Sequence, residues 1–319
     1  MAKIVWISWG NQVRSKSLTT AIDIDMLVIS HAGGRLKSYF FSTIETLIIV
    51  CREKPDVVFA PNPSIVLTYI LLLVKIFLGF KFISDSHWGG ITAFNGNYYL
   101  QKALNICNRS ADLVLVTNKL HADFVESIGG SALVYEDPLP DLSKYKTEID
   151  TLDKSVLFIC SYDIDEPYHS TFEAARILVK DGFKFYASGN YSKIGINPND
   201  YEHVIFLGFV SEDLFYDRLF KSDVVIDLTE YDNCLVCGAY EAMSAERPLV
   251  TSDRPCLREY FDRGTIFTQH DSQSIAEAVR RAYLERHNLV KEIREWKLLK
   301  SILQAERRSK LLRELCILC

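Results

Sequence analysis

Short apolar segments alternate with longer segments of helical periodicity along the first 140 residues. The apolar segments are nearly continuous, which is typical of strands that are covered on both faces of a parallel sheet. Strands are predicted at residues 3–8, 26–30, 56–60, 81–84, 112–117 and 132–135. Helices are predicted between them at residues 38–54, 64–78, 98–108 and 119–128. This alternation indicates an α/β fold, with βαβ units and a doubly wound parallel sheet.

A second series of the same kind follows a polar segment, residues 136–153, which contains two prolines and predicts a linker. Its strands are predicted at residues 155–160, 183–188, 204–207, 223–228, 248–252 and 265–267. Its helices are predicted at residues 170–180, 213–220, 235–245 and 272–285. We therefore expect one Rossmann-like domain over residues 1–140 and another over residues 154–288.

The remaining residues, 289–319, predict one long amphipathic helix that packs back toward the first domain. Residues 285–319 hold nine Lys and Arg against five Asp and Glu, so contact with an anionic membrane is an alternative. The apolar segment 64–82 contains Lys75, and it is interpreted as a buried or interfacial helix. A membrane span is the alternative, because a span needs about 20 mostly apolar residues.

Composition excludes other classes of protein. Hydrophobic residues make up 48% of the 319, and Lys plus Arg number 36 against 41 Asp plus Glu, a net charge of −5. This balance offers no general surface for a polyanion, so nucleic acid is not an expected partner. The first ten residues lack the features of a signal peptide, and the eight cysteines are interpreted as reduced thiols of a cytoplasmic protein.

The most informative segment is residues 223–253, which reads as strand, polar loop, helix and strand. Gly238, Tyr240 and Glu241 fall on the first turns of the helix. A carboxylate at this place can accept hydrogen bonds from two ribose hydroxyls, and amides at a helix N-terminus suit phosphate. A glutamate on the surface of a helix is the alternative interpretation of Glu241.

Residues 241–243 (Glu-Ala-Met) and 247–250 (Arg-Pro-Leu-Val) resemble GT-B glycosyltransferases of bacterial polysaccharide and glycan synthesis, family-4-like. The resemblance implies two Rossmann-like domains that face a cleft, with Glu241 as the ribose-binding glutamate. Many members carry another glutamate eight positions earlier, where this chain has Asn233, beside Asp232. Because Asn233 replaces that glutamate, the usual contact with a sugar hydroxyl and a retaining mechanism are not implied for this chain.

Two further loops of the second domain resemble donor-binding loops of this family. Residues 204–210 resemble the loop whose backbone pairs with the nucleotide base, which Phe209 and Val210 would present; an ordinary turn capped by Ser211 is the alternative. The loop after residue 160 begins with Ser161 and Tyr162 and holds no basic residue. It resembles the chitobiosyldiphosphodolichol beta-mannosyltransferase family more than the common glycine-rich pattern.

The loop after the first strand contains Gly10, Asn11, Arg14 and Lys16, before a helix predicted to begin near Ser17. Arg14 or Lys16 could supply the positive charge that meets a diphosphate, because arginine pairs well with phosphate oxygens. Gly10 and Asn11 are expected on the acceptor side. A solvated basic turn is the alternative.

Asp85, His87, Trp88 and Gly89 follow the strand that ends at residue 84. An inverting transfer needs a base within reach of the acceptor hydroxyl, and we expect Asp85 in that role, with His87 as its partner. The same mannosyltransferase family carries an Asp and a His here. Trp88 and Gly89 are expected on the acceptor side. A structural aspartate that caps the next turn is the alternative.

Other interpretations are less favoured. Cys234 and Cys237, with Cys316 and Cys319, form two Cys-x-x-Cys pairs, but their separation and context argue against a zinc site or a redox disulfide. No Gly-x-Ser-x-Gly or Gly-x-Gly-x-x-Gly pattern appears, which argues against a hydrolase or a dehydrogenase. We expect no metal and no cofactor.

The resemblance predicts a transferase that moves a hexose from a UDP- or GDP-sugar to a hydroxyl of a glycan or lipid-linked acceptor. The first domain would hold the acceptor and the second the donor, with the protein peripheral on the inner face of the membrane. The mannosyltransferase-like loop favours inversion. A UDP-sugar 2-epimerase of the same plan and a catalytically silent subunit remain alternatives.

Overall fold

The computed structural model describes residues 2–94, 96–145 and 154–315. Two compact units divide these residues. The first unit comprises the described residues up to Pro138 together with those from Ile302 onward, and the second comprises those from Leu139 to Ser301. The predicted linker therefore falls mostly within the second unit, although part of it lies outside the described residues.

The first unit contains a six-stranded parallel sheet. Its strands are β1 (Ile4–Ser8), β2 (Met26–Val28), β3 (Val57–Pro61), β4 (Lys81–Asp85), β5 (Leu113–Val116) and β6 (Ala132–Val134), in the spatial order β2-β1-β3-β4-β5-β6. Its helices are α1 (Val13–Ile22), α2 (Arg35–Glu53), α3 (Ile65–Leu78), α4 (Trp88–Thr92), α5 (Tyr98–Ser110) and α6 (Lys119–Ser127). All four residues of β5 are buried, as expected for an interior strand covered on both faces.

The second unit repeats this architecture. Its strands are β7 (Ser155–Phe158), β8 (Lys184–Ser188), β9 (Ile205–Gly208), β10 (Val224–Asp227), β11 (Leu249–Ser252) and β12 (Thr265–Thr268), in the order β12-β11-β10-β7-β8-β9. Its helices are α7 (Tyr168–Val179), α8 (Glu212–Lys221), α9 (Cys237–Ser244), α10 (Pro255–Tyr260), α11 (Ser272–Leu284) and the long α12 (Arg286–Glu314). In both sheets the order places a pair of adjacent strands, β1 with β3 and β7 with β10, where the winding direction reverses.

Helix α12 contributes to both units, and the boundary between them falls inside it, between Ser301 and Ile302. Ile293 and Trp296 are fully buried in the second unit, where the Trp296 indole donates to the Tyr260 carbonyl at 3.0 Å. Leu311 is buried in the core of the first unit, with Trp6. The predicted domain edge at residue 288 thus separates residues that share one core, because the apolar stripe of α12 continues that core.

One local expectation is corrected. Helix α1 begins at Val13 rather than near Ser17, because Gln12 is extended and its carbonyl accepts from the Lys16 amide at 3.1 Å. Arg14 and Lys16 therefore lie on the first turn of a helix and not on a loop. Helix α3 is only 14 residues long. Within the described residues, no helix combines the length and the apolar character that a bilayer crossing requires.

Candidate donor and acceptor sites

Polar contacts fix the loops at the carboxyl ends of three adjacent strands of the second unit. The Thr229 hydroxyl donates to Asp165 at 2.5 Å, and the Glu230 amide donates to the Asp165 carbonyl at 2.7 Å. The Thr229 amide donates to the Ser252 hydroxyl at 2.9 Å. These contacts join the loops after β7, β10 and β11, at the edge of the sheet where ligands bind in doubly wound folds.

Asp227, the last residue of β10, anchors the start of helix α9. It is buried, and its Oδ2 accepts from the Ala239 amide at 2.9 Å. Burial raises its pKa well above the usual aspartate range. A Cβ at Gly238 would lie 2.6 Å from that oxygen and 2.8 Å from Ile159, so only glycine lets the helix approach so closely. The structure thus gives Gly238 a packing role, while its predicted contact with the donor stays a prediction.

Glu241 lies on the first turns of α9 and is partly exposed. Burial raises its pKa from 4.5 to about 7, and a hydrogen bond from the Tyr216 hydroxyl at 3.3 Å acts in the opposite direction. The Tyr216 ring in turn packs against Tyr145, with ring centroids 4.3 Å apart. A carboxyl group held in this state, with one phenol as its partner, can exchange that partner for the hydroxyls of a ligand.

Two residues predicted to bind the donor point into the core instead. Tyr240 is 4% exposed, and its ring packs against Tyr260 and Phe261. Tyr162 is 2% exposed, adopts a left-handed backbone with φ of 60°, and packs against Phe172. Both side chains complete apolar clusters, because successive residues of a helix or a turn face different sides of the chain. Neither ring is available to a ligand in this structure.

The loop after β7 carries a glutamate that fills a nest of amides. Glu166 accepts from the Ser161 amide at 2.9 and 3.0 Å, from the Asp163 amide at 2.9 Å and from the Ser161 hydroxyl at 3.1 Å. Neighbouring amides that converge on one anion in this way form an anion-binding concavity, although the Tyr162 amide between them donates to the Cys160 sulfur. The sequence suggested amides as the phosphate partners, and the structure shows three donors of this loop occupied by an internal carboxylate.

Other donor-side residues differ in exposure. Phe209 is 90% exposed and follows Gly208, whose φ is 72°, and Val210 is partly exposed beside it. Asn233 lies in a partly exposed turn after β10. Its neighbour Asp232 pairs with Arg254 at 3.1 Å. The exposed ring of Phe209 is the only one of these groups whose apolar surface lies open to a base.

In the first unit, Arg14 forms a buried ion-pair cluster. Its Nε donates to Asp85 Oδ1 at 2.9 Å, a terminal nitrogen donates to Asp137, and another donates to the Tyr135 carbonyl at 3.1 Å. Burial alone would lower the pKa of Arg14, but the two carboxylates raise it well above the ordinary arginine value. Arg14 is therefore engaged within its own unit in this structure. Lys16 is exposed on α1.

Asp85 is fully buried at the end of β4. Its Oδ1 is held by Arg14, and its Oδ2 is buried without a hydrogen-bond partner in the described part of the chain. A carboxylate with no exposed surface cannot meet an acceptor hydroxyl without a rearrangement, so this geometry disagrees with the expectation that Asp85 is the base. The sequence could not reveal the pairing, because Arg14 lies 71 residues away.

His87 immediately precedes helix α4, and its imidazole is partly exposed. Burial lowers its pKa, an effect that nearby Asp85 partly opposes, so the neutral ring dominates at pH 7. Its Nδ1 is buried without a partner. The turn that carries it is tightly packed, since a Cβ at Gly90 would lie 2.8 Å from Ser86. Trp88 and Gly89, beside it, are both partly exposed.

His121, which sequence reasoning did not single out, belongs to the same cluster. It is 2% exposed on α6, its Nδ1 lies 3.3 Å from the Thr117 hydroxyl, and its Nε2 has no partner. Burial lowers its pKa to about 4, with further lowering by His87 and Arg14. The sequence signal that could have revealed His121 was the polar Thr-Asn pair at the carboxyl end of a buried strand.

The other two residues expected on the acceptor side follow β1. Gly10 is partly exposed, and Asn11 is exposed.

No group of three or more His, Cys, Asp or Glu residues in the described part of the chain is arranged to hold a metal ion. Cys234 and Cys237 form no disulfide within the described residues, and burial raises the pKa of Cys234 to about 12. The predicted pair Cys316 and Cys319 lies outside the described residues.

Comparison with known proteins places this geometry in a class. Residues 153–285 match the family model described as Glycosyl transferases group 1. The fold is similar to HepE of Anabaena in complex with UDP-glucose, with a TM-score of 0.72, 13% identity, and coverage of 98% of this chain and 100% of that one. It is also similar to sucrose-phosphate synthase of Thermosynechococcus elongatus, with a TM-score of 0.73, 13% identity, and coverage of 99% and 100%.

A UDP-GlcNAc 2-epimerase from Methanocaldococcus jannaschii matches with a TM-score of 0.60 and 13% identity, covering 87% of this chain and 92% of that one. The sequence matches none of the curated proteins with which it was compared. These matches define a GT-B fold, as the sequence predicted. The family match covers most of the second unit and favours a glycosyl transferase, whereas the solved structures show the fold alone.

Proposed function

We propose that the protein transfers a hexose from a UDP-sugar to a hydroxyl of a glycan or lipid-linked acceptor. The observation that carries the proposal is Glu241, a carboxyl group with a raised pKa at the start of the helix that follows β10. Its position suits two ribose hydroxyls, and HepE, which shares the fold, was crystallised with UDP-glucose and with UDP. A UDP-sugar is thus favoured over a GDP-sugar.

The diphosphate would bind to the loop after β7, where amides of Ser161 and Asp163 already hold the carboxylate of Glu166. Because a phosphate and a carboxylate compete for the same donors, the entering diphosphate would displace Glu166 from the nest. Phe209 would lie against the base. The Glu166 carboxylate keeps the nest formed in the absence of donor, at the expense of donor affinity.

For the acceptor side, His87 fits the geometry better than Asp85. His87 is partly exposed and largely neutral at pH 7, so it can accept a proton from an acceptor hydroxyl. Asp85 and Asp137, paired with Arg14, would fix the charge around the imidazole. A base of this kind would give inversion. We accordingly assign Asp85 a positioning role.

Helix α2 supports a lipid-linked acceptor, because its polar and apolar faces are reversed. Its buried residues include Ser42 and Thr46, and Thr46 accepts from the Trp9 indole at 2.9 Å. Its large apolar residues face outward, with Leu36 86% and Phe40 61% exposed. The neighbouring helix α3 adds further exposed apolar side chains, namely Val66, Tyr69, Leu73, Ile76 and Phe77. Exposed apolar surface on this scale marks an interaction site.

Charge favours an anionic membrane as the partner of this face. Arg35 and Lys37 are exposed beside Leu36 and Phe40 at the start of α2, which follows the carboxyl end of β2. Basic residues that flank buried apolar anchors are typical of peripheral attachment to anionic lipids. The basic tail contributes less than the sequence predicted, because Arg307 is held by Glu136 at 2.8 Å. We propose peripheral contact through α2 and α3.

Vesicle flotation tests the membrane contact. Wild type should float with vesicles of phosphatidylcholine containing 30% phosphatidylglycerol and much less with phosphatidylcholine alone. Burying a large apolar side chain contributes about 1.5–3 kcal/mol, so Phe40→Ser should weaken binding by roughly tenfold or more. Ile164→Ser is the matched control, since Ile164 is 92% exposed in the second unit. Equal flotation of both variants would contradict the assignment of this face.

The transfer itself is tested by calorimetry and then by product analysis. We expect UDP-glucose or another UDP-hexose to bind and, with a membrane lipid extract, to yield a glycosylated lipid and UDP. A UDP-sugar epimer detected by NMR would favour the 2-epimerase instead. Glu166 in the nest and Arg14 in internal pairs also favour a silent subunit, which would bind neither UDP-sugars nor GDP-mannose. Absence of all binding would refute the proposed transferase.

A further inference from the structure

A pocket of about 530 Å³ opens in the second unit, at the other end of α9 from the candidate donor site. Ser244, at the C-terminus of α9, and Arg247, which precedes β11, line it. The donor loops follow the carboxyl ends of the strands, whereas this pocket lies where a strand begins. Its volume falls within the range of sites for small molecules, about 300–1,000 Å³. It is therefore separate from the donor site.

Arg247 is the unusual residue of this pocket. It is partly exposed, but its Nε is buried, and among the described residues this side chain has neither a hydrogen-bond partner nor an ion pair. Burial lowers its pKa, and the carboxylates of Asp223 and Glu246 only partly oppose that effect. Buried polar atoms are normally hydrogen-bonded, and one without a partner requires an explanation. An anion that enters the pocket from solution would supply the missing partner.

The other charges of the pocket do not neutralise Arg247. Glu246 pairs with Arg294 at 2.7 Å and with Lys297 at 3.2 Å, so one carboxylate already serves two cations. Asp141 is exposed and accepts from the Ser143 amide at 2.9 Å. Among the described residues that line the pocket, three cations face two carboxylates, while Asp223 acts on Arg247 from outside the lining.

The remaining wall is apolar and is formed by side chains that a phosphate alone would not contact. These are Leu139, Pro140, Leu142, Phe220 and Val290. We infer that this pocket binds a small molecule with a phosphate or other anionic group and an apolar body, with Arg247 and Arg294 on the anion. This second site is independent of nucleotide-sugar binding.

Calorimetry of the full chain with phenyl phosphate, compared with inorganic phosphate and with phenol, tests the inference. Phenyl phosphate should bind more tightly than either part, with and without saturating UDP. Arg247→Gln should weaken its binding at least tenfold. Arg218→Gln is the matched control, because Arg218 also has a buried Nε without a partner but packs over Tyr186, outside the pocket. It should bind as wild type does.

A second variant is needed because Arg247 is partly enclosed, so its substitution could disturb the fold. Arg294→Gln removes an exposed cation of the same pocket and should weaken phenyl phosphate binding at least threefold. Phenyl phosphate should also raise the melting temperature of wild type but not of Arg247→Gln. Binding that is absent in wild type, unchanged in both pocket variants, or abolished by UDP would overturn the inference.

Discussion

Replacing Glu241 with glutamine should weaken the binding of a UDP-sugar while it stabilises the empty protein. Burial holds the pKa of Glu241 at about 7, above the ordinary 4.5. A group with a raised pKa contributes stability that is present below pH 4.5 and is lost as the pH rises through 7. At about 1.4 kcal/mol per unit, the ionised group costs roughly 3 kcal/mol at pH 8. Glutamine has no such cost.

The loss of affinity follows from the same carboxylate. Hydrogen bonds to a charged group contribute about 1.5–3 kcal/mol, so UDP-glucose should bind the glutamine variant roughly 10- to 150-fold more weakly at pH 8. Wild type should bind more tightly at pH 8 than at pH 6, because ionised Glu241 accepts from both ribose hydroxyls. UDP-glucose is the ligand of choice, since its diphosphate has no proton to lose in this range.

Two measurements on one pair of proteins check the reasoning. Scanning fluorimetry should show a higher melting temperature for the glutamine variant, with a larger difference at pH 8 than at pH 5. Calorimetry with UDP-glucose should show the opposite order of affinity. Glu277→Gln, an exposed position on α11, is the control and should change neither. Equal affinity of wild type and Glu241→Gln at pH 8 would refute the ribose role, whatever happens to stability.

Three further changes are expected to have measurable effects. His87→Ala should lower kcat by about 10²–10⁴-fold and leave the affinity for UDP-glucose unchanged, with His31→Ala as the control. In wild type, the acid limb of the pH profile of kcat should lie below pH 6.5, because burial lowers the pKa of His87. An unchanged kcat would exclude His87 as the base. Glu166→Gln should tighten UDP-glucose binding by roughly tenfold in calorimetry, since the nest loses its internal anion; weaker binding would contradict competition. Gly238→Ala should cost about 1–3 kcal/mol, seen as a lower melting temperature, whereas Gly10→Ala, with open space around it, should not; equal melting temperatures would contradict the close approach to Asp227.

The sequence predicts the fold well because its strands are clearly marked by their hydrophobic pattern. Continuous apolar segments bounded by polar turns occur twice in the same order, and parallel pairing follows from the helices between them. The bounds of helices are less certain. Helix α1 begins at Val13 without a side-chain cap, so no capping residue marks its start.

The candidate sites are predictable only as far as local geometry determines them. Glu241 lies on the expected helix. Its neighbour Tyr240 points about 100° away around the helix axis, and the spacing of residues alone does not determine which of the two faces the core. Arg14 shows a different limit. Its partners Asp85 and Asp137 are distant in sequence, so an apparently free basic residue is in fact neutralised.

In both units, groups that could bind a diphosphate already have partners within the protein. The charges near the strand ends are satisfied internally: Arg14 by two aspartates, the amide nest by Glu166, and Lys193 by Asp163 at 2.5 Å. The pairs of Arg14 remove a cost of burial in the empty protein, because unpaired buried charges are expensive, whereas the pair of Lys193 and Asp163 is exposed. A ligand must therefore exchange partners rather than fill vacant donors. Its affinity then reflects the difference between two similar sets of hydrogen bonds, so small changes at Glu166 should alter binding more than the removal of any exposed basic residue.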